Sequence, residues 1–286
     1  MNRIHFEVNP ETNYVYHMLS VMKCGYDNAY GAKYRSLYKA EELAVFHKHS
    51  ALITVKGGEH CGFLHGVMVG QPALGEMSAK DYYQELVDIG LMIKGGNIPE
   101  GVNESLIPYT DVILSLSEIM VRHYDQYMEE IWPWERGRIV EYAAVMEKLF
   151  QESRFTEKAE EMVGKLGSPC FTATLVSSVE GGAEGINISW EKDVFGIERS
   201  PEAEQHFVAH EYIIYLLFEA LKDEDAFRSL ETWPFTEGLA EYYLKRILGC
   251  SCFGGKMQEH CRIYESIPGA ETMPPAALYR RAMYGR

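Results

Sequence analysis

Apolar side chains recur at three- and four-residue steps along much of the first half of the chain. The pattern covers residues 13–22, 41–49, 80–93, 108–127 and 137–151, and it predicts amphipathic helices there. Residues 95–108, GGNIPEGVNESLIP, are bounded by glycines and prolines and read as a loop. The Trp132-Pro133-Trp134 step predicts a helix break with a sharp turn. The texture changes at Pro169. Residues 171–179, FTATLVSSV, are β-branched and partly alternating; after Gly181, Gly182 and Gly185 comes a second alternating run, INISW at 186–190. That pair predicts a β-hairpin, with 194–197 prolonging its second strand. Ser200-Pro201-Glu202 then supplies an N-cap, an N1 proline and a first-turn acid, opening a helix that should run to about Leu221. Another helix is expected to start near Thr236, as a cap, and to stop at Gly249. The expected class is α+β, mostly helical: a helical N-terminal region, 1–165, then a small antiparallel sheet and a helix pair in 166–286, as two regions or one compact unit.

Composition narrows the partners. The 286 residues are 47% hydrophobic and 24% charged, enough for a well-buried core. A net charge of −15 with no basic block repels phosphate backbones, so nucleic acid is not an expected partner. The first residues lack the apolar core and small-residue cleavage site of a signal peptide. The longest apolar run, Tyr212 to Phe218, is far short of the roughly 20 residues of a membrane span. Neither membrane nor export is expected. Cysteines 24, 61, 170, 250, 252 and 261 follow no disulfide-framework spacing and read as thiols of a cytoplasmic protein.

Candidate chemistry concentrates in 200–249. The long helix carries His206, His210 and Glu211 within HFVAHEYIIYLLF, and the next opens on TEGLAEYY with Glu237 and Glu241. A His-Glu pair on one helix, a loop, then Glu-Gly-x-Ala-Glu opening a second helix resembles the gluzincin (zincin) zinc metallopeptidases, in particular the small bacterial peptidase MA-like branch. There a Trp or Pro shortly precedes the Glu-Gly pair, as Trp233 and Pro234 do here, and a β-hairpin precedes the metal helix. In the H-E-x-x-H motif two histidines one turn apart hold zinc, and the glutamate is general base on the zinc-bound water. The resemblance implies His210 as first zinc histidine, Glu211 as catalytic base, Glu237 as third ligand and Glu241 as the acid that orients a ligand imidazole. The second histidine is replaced by Ile214, which cannot bind a metal.

His206 and His210, spaced i,i+4, could share a metal on one face. Glu211 would then point about 120° from the midline of the pair, against roughly 80° in the regular motif, and aim poorly at a bound water. Two weaker groups contain further thiols and imidazoles: CSCFGGKMQEHC, with Cys250, Cys252, His260 and Cys261, which is not a standard finger spacing, and GGEHCGFLHG, with His60, Cys61 and His65, which favours a turn. Tyr242 and Tyr243 read as packing residues. No P-loop, dinucleotide fingerprint or G-x-S-x-G elbow is present. Two functions stand at this point. One is a zinc-dependent hydrolase of peptides with an atypical site; the other is a pseudopeptidase that keeps the fold as a binding or scaffold module for a peptide or protein.

Overall fold

The computed structural model describes residues 3–56, 60–165, 170–183, 185–224, 229, 231–251 and 253–285. Pro169, where the texture of the sequence changes, lies outside them, as do Gly57, Gly58, Glu59 and Cys252. The N-terminal helices are α1 (Pro10–Val21), α2 (Ala29–Tyr34), α3 (Ala40–Ile53), α4 (Gln71–Ala73), α5 (Ala79–Lys94) and α6 (Thr110–Gln126). Then come α7 (Trp132–Ser153), α8 (Phe155–Val163), α9 (Pro201–Ala220), α10 (Trp233–Leu248), α11 (Lys256–Glu265) and α12 (Pro275–Tyr284). The strands are β1 (Ile4–Glu7), β2 (Val55–Lys56), β3 (His60–Cys61), β4 (Phe171–Val176), β5 (Ile186–Ser189) and β6 (Lys192–Gly196). The class is α+β with helix dominating, and among the described residues no helix is long and apolar enough to cross a membrane.

The sheet differs from the expected hairpin. Its order is β1-β4-β6-β5, with β1 parallel to β4, β4 parallel to β6 and only β5 antiparallel, at the edge. Residues 194–197 therefore do not prolong the second strand. Val194 to Gly196 belong to a central strand inserted between the two runs read as a hairpin, and the true hairpin is β5–β6. The reason is burial: every residue of β6 is buried, so it occupies the interior of the sheet, whereas β5 exposes Asn187 and takes the edge. Strand β1, contributed by the N-terminal region, supplies buried Ile4 and Phe6.

Local rules account for most helix ends. Asn9 caps α1, accepting from Glu11 N at 2.9 Å, and Ser78 caps α5, accepting from Asp81 N at 3.1 Å. Ser200 Oγ accepts from Ala203 N at 3.3 Å with Pro201 opening α9, and Gly249 ends α10 in the left-handed conformation. Two expectations shift. Pro133 lies in the first turn of α7, following a π-helical turn at Tyr127–Ile131. Helix α10 begins at Trp233 with Pro234 in its first turn, so Thr236 is buried inside the helix rather than capping it.

Helix α9 is apolar nearly all round, with Val208, Ala209, Tyr212, Ile213, Leu216 and Leu217 buried, as expected of a helix enclosed on every side. It packs on the sheet and against α7, α8 and α10. Gly238 allows a close approach on the far side of α10: a β-carbon there would stand 2.5 Å from His260 Cβ of α11.

Candidate functional site

The spacing of Glu237 and Glu241, one turn apart, puts both carboxylates on the face of α10 that meets α9. Between them lies His210. Its Nε2 donates to Glu237 Oε2 at 2.8 Å and its Nδ1 donates to Glu241 Oε1 at 2.7 Å. Phe253 covers the ring edge-on, with centroids 4.8 Å apart, and its backbone N–H reaches Glu241 Oε2 at 3.4 Å. His210 and Glu241 are buried almost completely. A neutral imidazole has one N–H, so two carboxylate acceptors call for the doubly protonated ring. Burial alone pushes His210 down, but the bonds to Glu237 and Glu241 and the charges of Glu237 and Glu211 outweigh it, carrying the imidazole up to about 10.

One residue along the helix is about 100° around it, so Glu211 turns away from α10 toward the sheet. There it faces Asp193 of β6. Burial, opposed by the charge of His210 and reinforced by that of Glu237, raises Glu211 to about 7. Asp193 is pushed well above the usual carboxylate range, first by burial and then by Glu211, against a hydrogen bond with Asn187. Asn187 is its cross-strand partner in β5. Gly185, with φ of 64°, lets the chain pass so near Glu211 that a β-carbon would stand 2.8 Å from its Oε1.

These acids line a cavity of about 470 Å³ between the edge of the sheet and the two helices. Its acidic side is Asp193, Glu211 and Glu237, with Asn187 beside them. Its other side is aromatic: Phe171, Tyr215, Trp190, Phe218 and Trp233. Trp190 meets Phe218 edge to face at 4.2 Å, and Phe218 lies 6.0 Å from Trp233. Ile214 and Cys61 complete the wall, and among the described residues no lysine or arginine lines it.

The sequence-based candidates therefore divide. His210, Glu211, Glu237 and Glu241 converge, and Ile214, one turn beyond His210, reaches the cavity with its aliphatic chain. His206 does not join them; its Nε2 lies 2.9 Å from Cys250 Sγ. Three of the remaining candidates lie apart from this group. His260 stands edge-on to Phe235, Cys261 is buried, and His65 bonds to Ile53 O through Nδ1 at 2.9 Å. Tyr242 and Tyr243 are buried in the packing, with Arg246 donating to the Tyr242 hydroxyl at 2.6 Å.

Two ligands at about 2.1 Å from a tetrahedral zinc lie roughly 3.4 Å apart. The 2.8 Å between His210 Nε2 and Glu237 Oε2 is a direct hydrogen bond instead. Position 214 offers an aliphatic chain in place of a donor, His206 is turned to a thiol, and among the described residues no three His, Cys, Asp or Glu side chains group as a metal-ion site. Asp193, Asn187, Trp190 and Gly185 were not singled out by the sequence. The available signal was an acid, Asp193, beside the apolar run of 194–197. Compared with protein-family models, with curated proteins and with solved structures, the chain matches none.

Proposed function

We propose that this chain keeps the architecture of a gluzincin-like metallopeptidase around an incomplete metal site, and that it acts as a peptide- or protein-binding module rather than as a zinc hydrolase. The observation that carries this reading is His210. The nitrogen that would face a metal is hydrogen-bonded to Glu237, while Ile214 stands where the second histidine would be. Losing even a group that merely orients a zinc ligand costs ~10–100-fold in metal affinity or activity, and an aliphatic replacement of a ligand removes a bond outright. Support for the peptidase-like ancestry comes from order along the chain: an antiparallel edge strand, a helix with His-Glu, then a helix with Glu-Gly-x-Ala-Glu. Support for binding comes from the cavity and from β5, whose outer edge pairs with no other strand among the described residues and can accept an extended peptide as an added strand.

The second reading, a zinc hydrolase with Glu211 as base and His210 and Glu237 as ligands, is favoured by Glu211 itself. A carboxyl raised to about 7 has the affinity for protons that a general base at neutral pH needs. Zinc stoichiometry of protein purified without chelator separates the two. Less than a tenth of a zinc per chain, none gained on titration, and no cleavage of a peptide library is the expected result. Close to one zinc per chain with cleavage abolished by Glu211→Gln would replace the module by the hydrolase.

A further inference from the structure

The cavity has a chemical asymmetry that its resemblance to a metal site does not explain. It combines three carboxyl groups from three elements, Asp193 of β6, Glu211 of α9 and Glu237 of α10, with aromatic side chains in the same lining. One polar atom of the cavity lining is left over, and a second is buried near it. Asp193 is 3% exposed, yet its Oδ1 has no hydrogen-bond partner among the described residues. The same holds for the hydroxyl of Tyr16, fully buried in α1 and close enough to feel both Asp193 and the cavity residue Cys61. An orphaned buried carboxylate oxygen is costly and rare, and it calls for a donor.

A cationic donor suits this lining, which holds three carboxyl groups and, among the described residues, no base. It must also carry an apolar part, because the side chains of Ile186, Ile214 and Phe218 carry no polar atom for an ion. A primary ammonium on a short alkyl stem meets both demands. Its three N–H groups match carboxylate oxygens on three sides, its charge is attracted by the faces of Trp190 and Trp233, and its methylenes cover the isoleucines. A quaternary ammonium would leave Asp193 Oδ1 without its donor. We propose that this cavity is a receptor for a primary alkylammonium group, of the kind carried by a lysine side chain or a free alkylamine, seated between Asp193, Glu211 and Glu237 under Trp190 and Trp233. The inference rests on reading the cavity as a ligand-binding site and names the class of ligand.

The test is a calorimetric titration of the full chain with n-butylamine, with n-pentanol as neutral isostere and tetramethylammonium as donor-free cation, followed in parallel by tryptophan emission. Saturable binding of n-butylamine, at least tenfold tighter than of either control, is expected. Asp193→Asn should weaken it at least tenfold, and Trp190→Ala, at a half-exposed position, severalfold with an unchanged melting curve. Should Asp193→Asn fail to fold, Glu211→Gln takes its place. Equal binding of butylamine and pentanol, or none of butylamine, overturns the proposal; so does binding that none of these substitutions alters. A capped lysine amide binding tighter than 1,5-diaminopentane assigns the group to a peptide, and the reverse assigns it to a free amine; both sustain the receptor. Zinc content is read on the same sample. A zinc-loaded, cleaving chain that still takes butylamine overturns only the non-catalytic module, whereas a zinc-free chain that ignores butylamine overturns only the ammonium receptor.

Discussion

Among the described residues, His210 and His17 are buried with both ring nitrogens engaged, and their surroundings drive them to opposite charge states. His210 lies between two carboxylates, Glu237 and Glu241, at 2.8 and 2.7 Å. His17, in α1, lies between two phenols, Tyr30 and Tyr38, each at 2.7 Å. The Tyr30 hydroxyl donates to Glu135, so it accepts from His17 Nδ1, and Nε2 then accepts from Tyr38. That pattern satisfies a neutral ring. Burial, helped by the charge of His123, lowers His17 to about 3, whereas hydrogen bonds to anions overcome the same burial penalty at His210 and raise it to about 10. Burial by itself therefore does not set the charge of an imidazole; the acceptors and donors within reach do.

The strongest way to break the contrast is to remove one anion. Glu241→Ala would strand a buried charge, and breaking such a pair costs about 3–5 kcal/mol. Urea unfolding is the measurement, and a loss below about 1 kcal/mol would mean that His210 is neutral as His17 is. A second route exchanges the proton for a metal. Ile214→His supplies the missing imidazole, and zinc at 100 times its dissociation constant should then stabilise the variant by about 2.7 kcal/mol while leaving the parent chain unmoved. If the variant takes up no zinc at micromolar metal, α9 and α10 are not aligned as a zincin pair. On the other side of the comparison, Tyr38→Phe leaves His17 Nε2 without its donor and should cost about 1–3 kcal/mol in the same unfolding assay. A cost near zero would show that the phenol is not what holds the ring neutral.

The gentlest probe is pH. His17 binds protons more readily when unfolded, so its contribution to stability is present above pH 6.5 and is lost as pH falls toward about 3. His210 binds them more readily when folded; its contribution is present below pH 6.5 and is lost as pH rises through about 10. Ring resonances recorded at about pH 5 and about pH 8 should show His17 neutral and His210 protonated in both spectra. Either ring titrating between these values would erase the distinction.

Much of the C-terminal half was legible residue by residue. The His-Glu pair and the two glutamates one turn apart could be placed on two successive helices from the sequence, and the resemblance to a zincin motif is what brought those helices face to face and made Ile214 a gap. Less could be read of the first 165 residues. Their helices follow from period, yet nothing in the period announced that Ile4 to Glu7 would become a strand of the distant sheet, or that His17, Tyr30, Tyr38 and Glu135 would meet. Those contacts join residues up to 167 positions apart, as Thr174 to Glu7 does at 2.7 Å, and no local pattern encodes them.

What the sequence by itself determined is local: helix spans from apolar period, ends from Ser200, Pro201 and Gly249, and the faces on which His210, Glu237 and Glu241 lie. These follow from backbone geometry that repeats every few residues. The tertiary structure alone decided that β6 would part the expected hairpin, that Asp193 would come beside Glu211 in a cavity, that His206 would turn to Cys250, and that one buried imidazole would be charged and the other neutral. Such outcomes depend on which groups become neighbours once water is excluded, because the energy of a buried charge is set by its partners in space and not by its neighbours in the chain.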